Sequence, residues 1–239
     1  MAEIAAFLRA QATFYRERFR TVESRIKQEG FTPDPIFEHQ RGGLLIAFLP
    51  DRYTAWCMRK AAESLNAAAR KDALPLDVYG ADIFHSTISD YRTADGFVDD
   101  EPHRLVIDEL APVIRQAVVA LPRITRNHCA IGYRRRLLCN QTTVIAPGEP
   151  SEEWLIIVER IIERCLDAGI PLREPWGAHM TLARFHDACL PSQSGGFLRA
   201  AAAIKLDVTL CPRFIGLGAF TCTTRNGFRV EWRHRIRLR

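Results

Sequence analysis

Two short stretches of this chain carry a histidine and a threonine two residues apart. They read Ile83-Phe84-His85-Ser86-Thr87-Ile88-Ser89 and Ala178-His179-Met180-Thr181-Leu182-Ala183, with the histidines 94 positions apart. In a strand, residues i and i+2 point to one face, so each copy presents an imidazole beside a hydroxyl. An unperturbed imidazole titrates near ~6.5, so of two facing copies one can be neutral and the other charged near pH 7. Such a pair supplies a base and an acid, and the hydroxyls supply donors to a developing oxyanion. That set suits the making and breaking of phosphate esters.

The triplet is short enough to arise by chance in a chain with seven histidines. Its placement carries more weight, because the elements around each copy follow one order. The first half reads strand, helix, His-x-Thr strand, helix, strand, beginning near 44, 52, 83, 103 and 123. The second half repeats that order from 137, 151, 178, 196 and 213. Leu44–Leu49 is an apolar run closed by Pro50, and Asp51 is placed to cap a helix over 52–71. The spacing predicts a further helix over 103–120, bent or broken at Pro112. Two extended stretches near 123–132 and 137–146 follow, as a hairpin around the basic turn Tyr133-Arg134-Arg135-Arg136. Ser151 caps a helix to Ala168, with Glu152 and Glu153 at its positive end and Gly169 stopping it. A short helix near 196–204 precedes two strands near 213–224 and 228–238, joined by Asn226-Gly227. Ahead of both halves, Ile4, Leu8, Ala12, Tyr15, Phe19, Val22 and Ile26 mark an amphipathic helix over 3–29, stopped by Gly30.

The predicted class is α+β: two pseudo-symmetric lobes of antiparallel sheet, helices outside, enclosing a central groove. Residues 1–42 form an N-terminal helix and connector. Residues 43–239 form the bilobed domain, with lobes at 43–135 and 136–239 and exchange of terminal strands left open. Hydrophobic residues at 47% and charged residues at 26% fit a folded chain. No apolar run approaches ~18 residues, so no membrane span is expected. Seven cysteines without a Cys-x-x-Cys spacing, and no secretory signal, read as a reduced, cytoplasmic protein. His39, His103, His128, His186 and His234 have no partner at a metal-ligand spacing, so neither metal nor cofactor is expected. The net charge of +5 permits an anionic substrate.

The chain resembles the 2H phosphoesterase superfamily, which includes bacterial RNA 2′,3′-cyclic phosphodiesterases (also called 2′-5′ RNA ligases). His179-Met180-Thr181-Leu182 running into Ala183-Arg184 is similar to the bacterial branch. The first copy departs, with Ser86 where an apolar residue is usual. The resemblance spans 43–238 and leaves the N-terminal helix outside. It implies that His85 and His179 are the catalytic pair and that Thr87 and Thr181 bind phosphate. It implies a metal-independent phosphodiesterase acting on 2′,3′-cyclic ends or 2′-5′ linkages of RNA or nucleotides, with a rate that survives EDTA. Reversible 2′-5′ RNA ligation and a non-catalytic nucleotide-binding module are the alternatives. Oligomeric state is open.

Further candidates for substrate contact are Tyr91 and Trp176, aromatics flanking the motif strands, with Arg184 and Arg134. In a regular strand Arg184 faces away from His179. The final strand places Phe228, Val230, Trp232, His234, Ile236 and Leu238 on one face. Arg229, Glu231, Arg233, Arg235, Arg237 and Arg239 fall on the other, as a solvated basic face or a track for an RNA backbone.

Overall fold

Polar caps and apolar spacing set the helices that frame the sheet. The structure, a computed structural model, describes residues 2–38, 42–91, 101–170, 172–223 and 227–238. Helix α1 (Ala2–Tyr15) runs into a π-helical turn at Arg16–Arg20 and then α2 (Glu23–Glu29). The continuous helix predicted there is interrupted where the Thr21 hydroxyl donates to the Glu17 carbonyl at 2.7 Å, a side-chain bond of the kind that bends helices. Gly30, at φ 83, ends α2 in a conformation a side chain disfavours. A short α3 (Pro35–Glu38) leads to strand β1 (Gly42–Leu49).

Helix α4 (Arg52–Lys71) begins at Asp51, whose Oδ1 accepts from the backbone N–H groups of Tyr53 and Thr54, both at 2.9 Å. Its buried residues Thr54, Met58, Ala61, Leu65 and Ala69 recur every three or four positions, so one face is covered. Strands β2 (Leu76–Val78) and β3 (Ser86–Tyr91) follow. Helix α5 (Glu101–Ala120) continues through Pro112, so of the bend or break expected there the break does not occur. An interior proline costs about 3 kcal/mol. Here burial of Ile107, Leu110, Ile114 and Val118 against the sheet and α7 offsets it.

The hairpin expected around 133–136 is not formed. Residues 123–128 are helix α6 (Arg123–His128), none of whose side chains is buried, so no alternating burial exists to hold them as a strand. Strand β4 (Ile131–Tyr133) is short and pairs elsewhere. The hairpin is instead β5 (Leu138–Cys139) with β6 (Thr143–Pro147). Asn140 makes its turn, with Oδ1 accepting from Thr142 N at 2.9 Å and Thr143 N at 2.7 Å. Strand β7 (Glu149–Pro150) precedes α7 (Glu152–Asp167), capped by Ser151. The rest is β8 (His179–Phe185), α8 (Pro191–Ala203), β9 (Val208–Leu210), β10 (Phe214–Thr223) and β11 (Gly227–Arg237). Asn226 lies outside the described residues.

The main sheet runs β11-β10-β1-β3-β8-β6-β5, with β2 also paired to β8; a second sheet is β7-β4-β9. All its pairings are antiparallel, so the α+β class with helices outside is the architecture observed. The terminal strands cross between halves: β10 lies along β1, and β4 joins β7 and β9. The N-terminal segment enters the same core, with Ile26, Ile36 and Phe37 buried and Phe31 stacked on Phe185 at 3.9 Å. No helix among the described residues is long and apolar enough to cross a membrane. All seven cysteines are free thiols.

Candidate active site

The two motif strands meet at the centre of the main sheet through one residue pair, Ser86 with Met180. These are the middle residues of the two triplets, and both are fully buried. Antiparallel register then sets His85 across from Thr181, and Thr87 across from His179, on one face. All four line one pocket with Arg184, Tyr79 and Phe228. The pocket has a volume of about 110 Å³, room for little more than a phosphate group.

Each imidazole is held in the same way. His85 Nδ1 lies 2.7 Å from the carbonyl oxygen of Ile83, and His179 Nδ1 lies 3.2 Å from that of Gly177. A carbonyl only accepts, so Nδ1 carries the proton in both rings and Nε2 is left as the working nitrogen. Burial disfavours the charged form and lowers His85 to about 4, the Arg184 guanidinium adding to the effect. Burial likewise lowers His179 to about 3, with His85 and Arg184 acting in the same direction. The free protein therefore holds two neutral imidazoles at pH 7.

Arg184 lies on the same side as His179, not opposite to it. A bulge is the reason. The register of β6 with β8 jumps from Ile145–Thr181 to Val144–Ala183, leaving Leu182 extra and inverting the alternation beyond it. Strand β3 does the same against β1, jumping from Ala47–Thr87 to Ile46–Ser89 and leaving Ile88 extra. The two copies thus share a bulge at the same offset from histidine. Arg184 Nε donates to Tyr79 Oη at 2.6 Å, and its guanidinium pairs with the Asp34 carboxylate. Asp34 also accepts from Thr143 Oγ1 at 3.2 Å and from Ile36 N at 3.0 Å.

The single face read for the last strand is split by a third bulge. Register between β10 and β11 jumps from Gly218–Trp232 to Leu217–His234, leaving Arg233 extra. Phe228 and Trp232 face the site, with ring centroids 6.1 and 6.0 Å from His85. Beyond the bulge the alternation inverts, and His234 turns to α5, where its Nε2 is 2.7 Å from Asp108. Trp232 Nε1 donates to the Asp82 carbonyl at 3.1 Å, which ties down the approach to His85.

Trp176 is sandwiched, its ring 3.8 Å from His179 on one side and 4.1 Å from Phe14 on the other. It lines the same pocket as the two histidines and is 38% exposed, so this candidate is brought to the site. Arg134 is exposed and lines a different cavity. Tyr91 ends β3, and its side chain lies outside the described residues. Among the described residues no three His, Cys, Asp or Glu side chains converge as a metal-binding set.

Three contributors escaped the sequence reading. Asp34 sits in the connector, where nothing but a turn was legible. Ser89 Oγ donates to the Arg173 carbonyl at 2.7 Å, so the first motif strand anchors the loop entering the second. Gln11 of α1 is 4% exposed; its Nε2 donates to the Gly148 carbonyl at 3.0 Å, and its Oε1 accepts from Ala178 N at 2.7 Å. A polar residue on the apolar stripe of α1, one turn from Tyr15, was the available signal.

No family model matches the chain, and no curated protein matches it in sequence. Solved structures do match. TT0787 of Thermus thermophilus aligns with a TM-score of 0.53 at 13% identity, over 82% of this chain and 98% of that one. Usb1 of Kluyveromyces marxianus gives 0.46 at 12% identity, over 81% and 98%. LigT of E. coli, in complex with 3′-AMP, gives 0.44 at 15% identity, over 82% and 96%. The chain shares the fold of TT0787.

Proposed function

We propose that this protein is a phosphodiesterase that opens 2′,3′-cyclic phosphate ends, or cleaves 2′-5′ linkages, of RNA or nucleotides. The supporting observation is the cross-register of the two triplets, which gives each Nε2 a threonine hydroxyl opposite it on one face of a phosphate-sized pocket. In hydrolysis of a cyclic phosphate, one neutral imidazole takes a proton from water as the water oxygen bonds to phosphorus. The other, protonated, gives its proton to the departing ribose oxygen as the P–O bond breaks. Thr87 and Thr181 donate to the non-bridging oxygens, where charge develops. Arg184 adds a buried positive charge beside them. A bound phosphate supplies the negative charge that lets one depressed imidazole hold its proton. The imidazoles carry the acid–base work, so no step calls for a metal ion. Ligation is the same path with a 5′-hydroxyl in place of water, and cleavage of a 2′-5′ linkage to a cyclic phosphate is that step in reverse, with acid and base exchanging roles.

Incubation with a nucleoside 2′,3′-cyclic phosphate and a 2′-5′ dinucleotide tests this. Wild-type turnover should fall about 10²–10⁴-fold in His85→Ala and in His179→Ala. Full rate in both single variants would remove the paired-histidine mechanism. Nucleotide binding without turnover by wild type would make the chain a binding module.

A further inference from the structure

A cavity larger than the catalytic pocket lies elsewhere in the molecule. It measures about 1180 Å³, against about 110 Å³ at the histidines, and lies between α1 with its π turn, the 134–139 segment, residues 147–150 and α8. Its mouth carries Arg134, Arg136, Arg199 and Lys205, all exposed and none in an ion pair among the described residues. The two other cations there are neutralised, Arg135 by Glu149 and Lys27 by Glu23. Four unpaired positive charges around one opening repel one another and attract an anion. Guanidinium groups recognise phosphate by paired hydrogen bonds. The interior is apolar and aromatic, with Tyr15, Phe19 and Leu198. Cations at the rim and rings inside are the combination that holds phosphate and stacks a base. The volume is slightly above the range of about 300–1,000 Å³ for ordinary small-ligand pockets, so the space is large enough for a nucleotide.

We infer that this cavity is a second, non-catalytic nucleotide-binding site. The phosphates sit on Arg134, Arg136, Arg199 and Lys205, and the base lies in the apolar interior beside Tyr15 and Leu198. The nucleotide is either free or part of a single RNA strand. The site stands apart from the catalytic pocket, because the buried Gln11 side chain bridges Gly148 and Ala178 across the wall between them.

Calorimetric titration of the full chain with ADP and with a ten-residue oligoadenylate decides it. The double variant Arg199→Glu/Lys205→Glu should bind one or both ligands at least tenfold more weakly. It should keep its turnover of a mononucleotide cyclic phosphate. A matched charge change at Arg52 and Lys71, on the exposed side of α4, should leave binding as in wild type. Loss of one of two ADP sites per chain identifies a free nucleotide as the occupant; a loss confined to the oligoadenylate identifies an RNA strand. Unchanged affinity for both ligands, or an equal loss in the Arg52/Lys71 control, overturns the assignment. Binding is read directly, so the result stands even if the protein turns over no cyclic phosphate.

Discussion

Phosphodiester binding should draw a proton from solution, and the amount follows from the site. In the free protein His85 titrates at about 4 and His179 at about 3. At pH 7, therefore, only about one molecule in 10³ carries an imidazolium at His85. The proposed chemistry needs one imidazolium in the complex. Protonating a group three units above its pKa costs about 4 kcal/mol, at 1.36 kcal/mol per unit. Affinity should then tighten about tenfold for each unit the pH falls, from pH 8 down to pH 5. A 2′-5′ dinucleotide methylated on the neighbouring 3′ oxygen is a suitable probe, because it cannot cyclise and its single charge is constant over this range. Calorimetry in two buffers of different ionisation enthalpy counts the protons, and close to one per site is expected at pH 7. An affinity that levels off below pH 6.5, as an ordinary imidazole would give, refutes the reasoning. So does binding with no proton uptake.

Three other outcomes are expected. The unfolded chain protonates its histidines near ~6.5, whereas the folded chain resists until about 4 and 3, so folded stability drains away as pH drops below ~6.5. His179→Gln should remove up to about 2 kcal/mol of the stability lost between pH 8 and pH 5, read from urea unfolding at both pH values; parallel curves for variant and wild type would deny the shift. Asp34→Asn leaves the Arg184 charge buried without its carboxylate and should cost about 3–5 kcal/mol; a change under 1 kcal/mol in urea would show the pair to be solvated. At Gly216 an added Cβ would lie 2.7 Å from Trp232 Cε3 and 2.9 Å from Leu49 Cδ2, so Gly216→Val should displace the indole and free the Asp82 carbonyl. Tryptophan emission should shift to the red with a fall in kcat, and unchanged emission would mean the strand yields instead.

Local rules carried much of the architecture. Asp51 and Ser151 marked two helix starts because a side-chain oxygen beside free N–H groups needs no tertiary context. The two triplets marked their strands because apolar alternation and chemistry coincided there. What stayed hidden depended on partners. A bulge is a property of a strand pair, so the extra residues Ile88, Leu182 and Arg233 left no trace in composition, and the faces of Arg184 and His234 were misread. Residues 123–128 looked extended until the absence of burial left them a helix. Asp34 meets Arg184 across 150 positions and Gln11 meets Ala178 across 167, distances over which no periodicity speaks. The packing of Trp176 on Phe14 stayed hidden because Phe14 lies in a helix that seemed peripheral.

The crossing of β10 onto β1 has a consequence for how the chain comes to exist. β1 pairs along its full length, Gly42 to Leu49, with Thr221 to Phe214. During synthesis the first half emerges with that edge bare, an apolar strand open to any passing chain until the last strands arrive. The contacts of Phe228 and Trp232 with His85 also arrive last. The Ile83 carbonyl can orient the first histidine early, but its ring is not sheltered before the final hairpin docks. Catalytic competence and closure of the fold become a single late event, and a chain halted short of β10 should be both inactive and sticky.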